Sequence, residues 1–453
     1  MRAASHIKRL ALIVPVLIAA SLTQAAPSGA AVDAYAGHAR GIVVRATGAS
    51  ALDGVAAAAS RLGHHEVARS GDLAALHLTL SDGQDITRAL AALLRLPGVV
   101  YAEPLYPARA ARVPADPLYA VRQRAYLEPV GGPAAWDLGT GDGVIVAVID
   151  TGVDTTHVDL QGRMWVNERE VPGNGRDDDD NGCVDDVHGC SFVSFPEAGC
   201  QRREGGDAGD DSGHGTFVAG VIAANANNGQ GIAGVAPDAR VMAVKVLDCA
   251  GGGNSFQVAQ GILYAAENGA RVINISLGGP NDPLVVREAV RAVTAEHGAL
   301  VVAASGNTGE QGVSYPARYA ETLAVGAASI ADPTKRAPFS TYGPEVDVAA
   351  IGEQIVGTVP QVHCGHLLPC LAGGPYAIGN GTSFAAPQVA GLAALVFSRR
   401  PAATPQQVHD IIRNTARPIP AAGTPNWAGA GLVDMAAALR PAFRLGTPGT
   451  ARE

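Results

Sequence analysis

The sequence predicts an α/β protein: a three-layer domain with a central, mostly parallel sheet, preceded by a small α+β domain. Three observations lead there. From about Asp116 onward, continuous apolar runs alternate with amphipathic helical segments, the pattern of a parallel sheet covered on both faces. Hydrophobic residues make up 47% of the chain but aromatics only 5%, with 56 glycines, which suits a close-packed Ala/Val/Gly core. At 453 residues there is material for two or three units.

Residues 1–26 read as an export signal. Arg2, Lys8 and Arg9 form a basic start, Leu10–Leu22 an apolar stretch, and Thr23, Ala25 and Ala26 supply small residues after it. The apolar stretch falls short of the ~20 residues that span a bilayer. Cleavage near Ala25–Ala30 is expected, followed by secretion to the extracellular space or a periplasm, with no membrane attachment afterwards.

Residues 32–110 carry the pattern of the small α+β domain. Gly41–Ala46 and Leu73–Leu80 are strand-like, with a helix-like Ala51–Leu62 between them. A second helix is expected over Asp85–Leu96 and a strand over Val99–Tyr106. Pro107–Pro114 has no core pattern and reads as an exposed linker open to nicking. Residues 1–114 hold 11 Lys/Arg against 7 Asp/Glu, a surplus of 4, so with a net charge of −9 the remainder carries −13. That acidic body argues against a nucleic-acid partner and suits a secreted, cation-binding protein.

The main domain spans residues 116–440, with a short tail at 441–453. Strands are expected at Val144–Asp150, Arg240–Leu247, Arg271–Leu277, Ala299–Ser305 and Glu321–Ala328. Helices are expected at His214–Ala224, Ser255–Asn268, Pro283–His297, Ser383–Arg399 and Thr404–Ala416, the last opening on Thr404-Pro405 as cap and first residue. In such sheets the functional site lies beyond the carboxyl ends of the strands, which picks out Asp150 and the segment after Ser305.

Four residues stand at such places. Ser383 opens an apolar helix after the glycine-rich turn Gly379-Asn-Gly-Thr382, with only small residues beside it and Pro387 in the first turn. Asp150 ends an apolar strand and is followed by Thr151-Gly152. His214 is flanked by Gly213 and Gly215 at a helix start, and Asn307 follows a strand in Ser305-Gly-Asn. Singly, these are ordinary caps and turns. Together they supply a nucleophile, a base, an orienting carboxylate and an amide donor.

Val148–Asp154, His214–Gly220 and Gly381–Pro387 resemble the three catalytic blocks of the subtilisin-like serine proteases (subtilases), in that family's order Asp, His, Ser. The likeness extends over roughly Asp116–Leu439, including Ser276–Gly279 and Gly429–Asp434. It implies the subtilisin-like fold and a serine endopeptidase with Ser383 as nucleophile, His214 as general base, Asp150 orienting the imidazole and Asn307 as oxyanion donor. It also implies that Gly252, Gly253 and Asn254 form the edge that pairs with an extended peptide, while Ser276, Leu277, Gly278, Ala304 and Gly306 line the pocket beside the scissile bond. Residues 32–110 resemble the family's inhibitory propeptide, with Tyr101-Ala-Glu-Pro104, so autocatalytic cleavage within Ala108–Pro117 is expected. Partners are then protein or peptide substrates and the chain's own propeptide, and a monomer is expected. The rivals are a catalytically silent, calcium-binding secreted protein on the same fold, and a lipase or esterase; the latter would want Gly-x-Ser-x-Gly.

The segment between Asp150 and His214 contains Asp177-Asp-Asp-Asp-Asn-Gly-Cys-Val-Asp-Asp186. Asp177, Asp179, Asn181 and Asp185 follow the D-x-D-x-N-G pattern of a calcium loop, although His188 stands where a terminal Glu would close it. Structural calcium is expected there, with Asp159 and the Asn227-Asn228 loop as a second candidate, and no organic cofactor. Six cysteines suggest disulfides and allow 15 pairings; Cys364 and Cys370 stand close enough for a small local bridge, and with three cysteines in the acidic segment Cys190–Cys200 is one pairing, which leaves Cys183 with Cys249.

Overall fold

The computed structural model describes residues 41–81, 84–105, 113–361, 370–371, 374–419 and 426–440. The proposed export signal and the tail at 441–453 lie outside them. The described residues fall into two compact units, 41–105 and 113–440.

In the smaller unit β1 (Gly41–Ala46), α1 (Leu52–Arg61), β2 (His65–Ser70), β3 (Ala75–Thr79), α2 (Ile86–Leu93) and β4 (Val99–Pro104) follow one another. The strands make an antiparallel sheet in the order β2-β3-β1-β4. Alternate residues Ile42, Val44, Leu76 and Leu78 point to one face and pack against Leu52, Val55, Leu90 and Leu93 of the helices. Strand β2 escaped the sequence reading. Five of its residues are exposed, so His-Glu-Val-Ala-Arg-Ser carries no apolar alternation to betray it.

The larger unit begins with a π-helical turn (Tyr119–Gln123) that runs into α3 (Arg124–Leu127), followed by α4 (Gly132–Trp136) and strand β5 (Ile145–Asp150). The acidic segment contributes β6 (Gly189–Val193) and β7 (Arg203–Gly205). Next come α5 (His214–Ala223), β8 (Arg240–Lys245), α6 (Ser255–Glu267), β9 (Val272–Ile275), α7 (Leu284–Ala295), β10 (Leu300–Ala304) and β11 (Thr322–Ala328). Three strands unseen in the sequence follow, β12 (Val348–Ile351), β13 (Ile355–Thr358) and β14 (Tyr376–Gly379), before α8 (Thr382–Arg399), α9 (Pro405–Thr415) and α10 (Met435–Leu439). Each of those three strands has four residues, too short for a periodic signal.

Among the described residues the central sheet has eight strands in the order β12-β11-β10-β9-β5-β8-β6-β7, parallel throughout except for the β6–β7 hairpin at one edge. Its strands are apolar on both faces because both are covered. Val146, Val148, Val241, Ala243 and Val302 pack with α5 and α8, whereas Ala147, Ile149, Met242, Val244 and Val301 pack with α6 and α7. This is the expected three-layer architecture. No helix among the described residues is long and apolar enough to cross a membrane.

The disulfide expectation is corrected. Cys183 pairs with Cys190 and Cys200 with Cys249. Cys190 lies on β6, beside the acidic loop that carries Cys183, while Cys200 is carried past β6 to the loop after β8. Spacing in the sequence cannot report either approach. The expected Cys364–Cys370 bridge involves Cys364, which lies outside the described residues.

Candidate active site

Strand β5 ends on Asp150, whose carboxylate is wholly buried. The chain then turns sharply at Gly152, where φ is +101° and a Cβ would stand 2.5 Å from the Ala208 carbonyl oxygen. That turn clears space for α5, which brings His214 against the strand end. His214 Nδ1 lies 2.8 Å and 3.0 Å from the two Asp150 carboxylate oxygens. Burial works to lower the His214 pKa, but the Asp150 charge, aided by its hydrogen bond and by Asp210, outweighs it, and the imidazole stands above its ordinary value.

The start of α5 is held by Asp210, which the sequence reading passed over. Its buried carboxylate accepts from the N–H groups of Ser212, Gly213 and Thr216 and from the hydroxyls of Thr216 and Thr151. It thus caps the helix and ties it to the end of β5. The available signal was an acid four residues before a glycine-flanked histidine. Lys245, paired in register with Asp150 across β5 and β8, was missed as well. Its wholly buried ammonium donates to the Thr151 and Leu247 carbonyls at 2.6 Å and 2.8 Å and to Asp211 at 2.7 Å. A lone lysine inside an apolar strand was its mark.

Helix α8 starts at Thr382, so Pro387 is its sixth residue, inside the helix rather than in its first turn. A residue there would donate its N–H to the Ser383 carbonyl four residues back; proline has none. The Ser276 hydroxyl takes that place, donating to the Ser383 carbonyl at 2.9 Å, and is itself approached by Asn274 Nδ2 at 2.9 Å. The Ser383 hydroxyl donates to the Ser276 carbonyl at 3.1 Å. The Phe384 ring packs beside the His214 ring, 5.4 Å between centroids.

Asn307 follows β10 and is fixed by its carbonyl oxygen, which accepts from the Thr382 N–H and hydroxyl, both at 2.9 Å. Its Nδ2 and the Ser383 nitrogen lie near one point: a Cβ built on Gly381 would stand 3.6 Å from each.

Beyond Ser276 a cavity of about 490 Å3 is bounded on one side by Gly252, Gly253 and Asn254 and on the other by Leu277 and Gly278, with Leu247, Val258 and Val286 among its walls. Five of the eight expected groove residues therefore line it. Ser276 instead braces Ser383, Ala304 is buried at the end of β10, and the Gly306 N–H donates to the Thr382 hydroxyl at 3.2 Å.

In the acidic loop the oxygens of Asp177, Asp179 and Glu170 come within 4.8 Å of one another. Asn181 donates from Nδ2 to Asp186 and accepts the Cys183 N–H on its oxygen, and Asp185 accepts the Asn174 and Gly175 N–H groups. Glu170 falls outside the loop motif. It is 6% exposed, and its Oε2 has no hydrogen-bond partner among the described residues. Hard oxygens around an orphaned buried oxygen suit a divalent cation such as calcium. Asp159 lies elsewhere, its carboxylate accepting from Asn228 Nδ2, the Ile232 N–H and the Tyr376 hydroxyl.

The family model described as the Subtilase family matches residues 141–433. Subtilisin Savinase of Lederbergia lenta is 41% identical over 315 residues, covering 69% of this chain and 97% of that protein. Thermitase of Thermoactinomyces vulgaris is 38% identical over 318 residues, covering 70% and 95%. A solved protease structure from Pseudoalteromonas arctica superposes with a TM-score of 0.59 at 32% identity, covering 72% of this chain and 99% of that one. The chain belongs to the subtilase family and is a serine-type endopeptidase.

Proposed function

We propose that the protein is a secreted endopeptidase, made as an autoprocessed zymogen, that cleaves peptide bonds through Asp150, His214 and Ser383. The observation that carries this reading is the bidentate approach of buried Asp150 to His214 Nδ1. It leaves the other ring nitrogen, Nε2, as the proton acceptor. The Ser383 hydroxyl leaves the Ser276 carbonyl, gives its proton to Nε2, and its oxygen attacks the scissile carbonyl carbon. The carbonyl oxygen becomes an oxyanion and takes hydrogen bonds from Asn307 Nδ2 and the Ser383 N–H. His214 then protonates the amine as the C–N bond breaks. Water, deprotonated by the same ring, releases the acyl group.

An extended peptide pairs with the Gly252–Asn254 edge and the Leu277–Gly278 edge, its side chains entering the cavity between them. Residues 32–110 act as the inhibitory propeptide, with cleavage in Ala108–Pro117. Glu170, Asp177 and Asp179 hold a structural calcium ion, which supplies charge compensation to the acidic loop and takes no part in the chemistry. The Cys183–Cys190 and Cys200–Cys249 disulfides and the basic, then apolar, start of the chain support export.

The test is labelling by a fluorophosphonate and cleavage of a peptide amide, compared between the wild type and Ser383→Ala. Both activities are expected to vanish in a variant that keeps its folded signature. Amide hydrolysis by the purified variant at the wild-type rate would overturn the assignment.

A further inference from the structure

The acidic segment does more than carry Asp177 and Asp179. After β6 it runs through Pro196 and Glu197 to Cys200, which is bonded to Cys249 in the loop that leads to the groove edge. The Glu197 N–H donates to Asp248 at 2.6 Å, and the same Asp248 carboxylate accepts the N–H groups of Ala250 and Gly252 at 3.0 Å and 2.9 Å. One covalent bond and one shared buried acceptor thus seat this stretch against Gly252. The Glu197 side chain lies over that glycine: a Cβ on Gly252 would stand 2.5 Å from Glu197 Oε1 and 3.0 Å from its Cδ.

The charges around the cavity are otherwise compensated. Its lining residues are all uncharged. Asp248 is consumed by the three N–H groups. At the far rim Asp282 is paired with Arg287, and Arg318, near Tyr315, is paired with Glu345. The exposed Glu197 carboxylate has no hydrogen-bond or ion-pair partner among the described residues. A pocket with Leu247, Val258, Leu277 and Val286 in its walls and an unpaired acid at its mouth matches one kind of side chain. It is a long apolar stem with a cationic head, which buries its methylenes and keeps its charge at the rim.

Resting on the groove assignment above, we infer that Glu197 is a specificity-determining residue that favours Lys or Arg at the substrate position entering this cavity, on the acyl side of the scissile bond. The residue is supplied by the segment between β6 and α5 and reaches the groove from outside it, so the preference depends on the Cys200–Cys249 bond holding it there.

The experiment compares kcat/KM for peptide anilides of constant P1 in which P2, P3 and P4 are varied singly among Lys, Leu and Glu, each normalised to the Leu peptide. The enzymes are wild type, Glu197→Gln, Glu197→Lys and a control, Glu267→Gln, at the far end of α6. At low salt the wild type and control are expected to prefer Lys over Glu at one of the three positions by about three- to fivefold, the range of a partly exposed ion pair. Glu197→Gln removes that preference, Glu197→Lys inverts it, and 0.5 M salt compresses it. Unchanged Lys-to-Glu ratios in both Glu197 variants at all three positions would overturn the inference alone. Absence of Ser383-dependent cleavage of every peptide would overturn the protease reading and this inference together.

Discussion

Ser276 and Ser383 exchange two hydrogen bonds, hydroxyl to carbonyl in each direction, at 2.9 Å and 3.1 Å. The first exists because Pro387 cannot serve the Ser383 carbonyl, so the end of β9 completes helix α8 from outside. Ser276→Ala should then strand that carbonyl and cost about 1–3 kcal/mol in urea unfolding. Adding Pro387→Ala restores an N–H within the helix, so the double variant should be less destabilised than the sum of the two changes. Strict additivity would show that Ser276 does not stand in for the missing N–H.

Asn307 is anchored by its oxygen and offers its nitrogen beside Gly381. Asn307→Ala should lower kcat by about 10²–10³, the loss established for such a donor in a subtilisin, with KM little changed. A fall confined to KM would remove Asn307 from the oxyanion site.

Asp150 holds the His214 pKa above its ordinary value, and His214 must be neutral to accept a proton. The kcat/KM profile should therefore rise with pH through a midpoint above 6.5. For stability the sign is opposite. The folded state favours the imidazolium, so this contribution is full below the unfolded His pKa and is lost as pH rises through the folded one. Asp150→Asn should move the acid limb downward and cut kcat by about 10⁴-fold. An unmoved limb would mean that another group sets it.

Calcium chelation should lower the melting temperature and speed autolysis. Glu170→Gln should weaken calcium binding, measured by titration calorimetry, more than Asp185→Asn, since Glu170 Oε2 is buried without a partner among the described residues while both Asp185 oxygens accept N–H groups. The reverse order would restore the loop motif's own ligand set.

Lys245→Met removes a buried cation from Asp211 and two carbonyls. Breaking one side of such a pair costs about 3–5 kcal/mol, a loss of several degrees in melting temperature. A neutral result would show that Asp211 finds Arg203 sufficient.

Much of this was readable in one dimension. The parallel sheet followed from apolar runs buried on both faces, and Asp150, His214 and Asn307 from their places at strand ends and a helix start, because those local patterns depend on neighbours in the chain. The serine was legible through its glycine turn and the proline after it, but the proline's effect was not, since the compensating hydroxyl comes from Ser276, 107 residues away. Asp210 and Lys245 act through packing across β5, β8 and α5, and no periodicity marks them. Glu170 joins Asp177 and Asp179 from outside the loop motif, an approach that the motif's own spacing does not report. The same holds for the cysteines and for Glu197 over Gly252. Which groups meet across distant segments is set by chain packing, where a partner's position, rather than residue type or spacing, determines the bond.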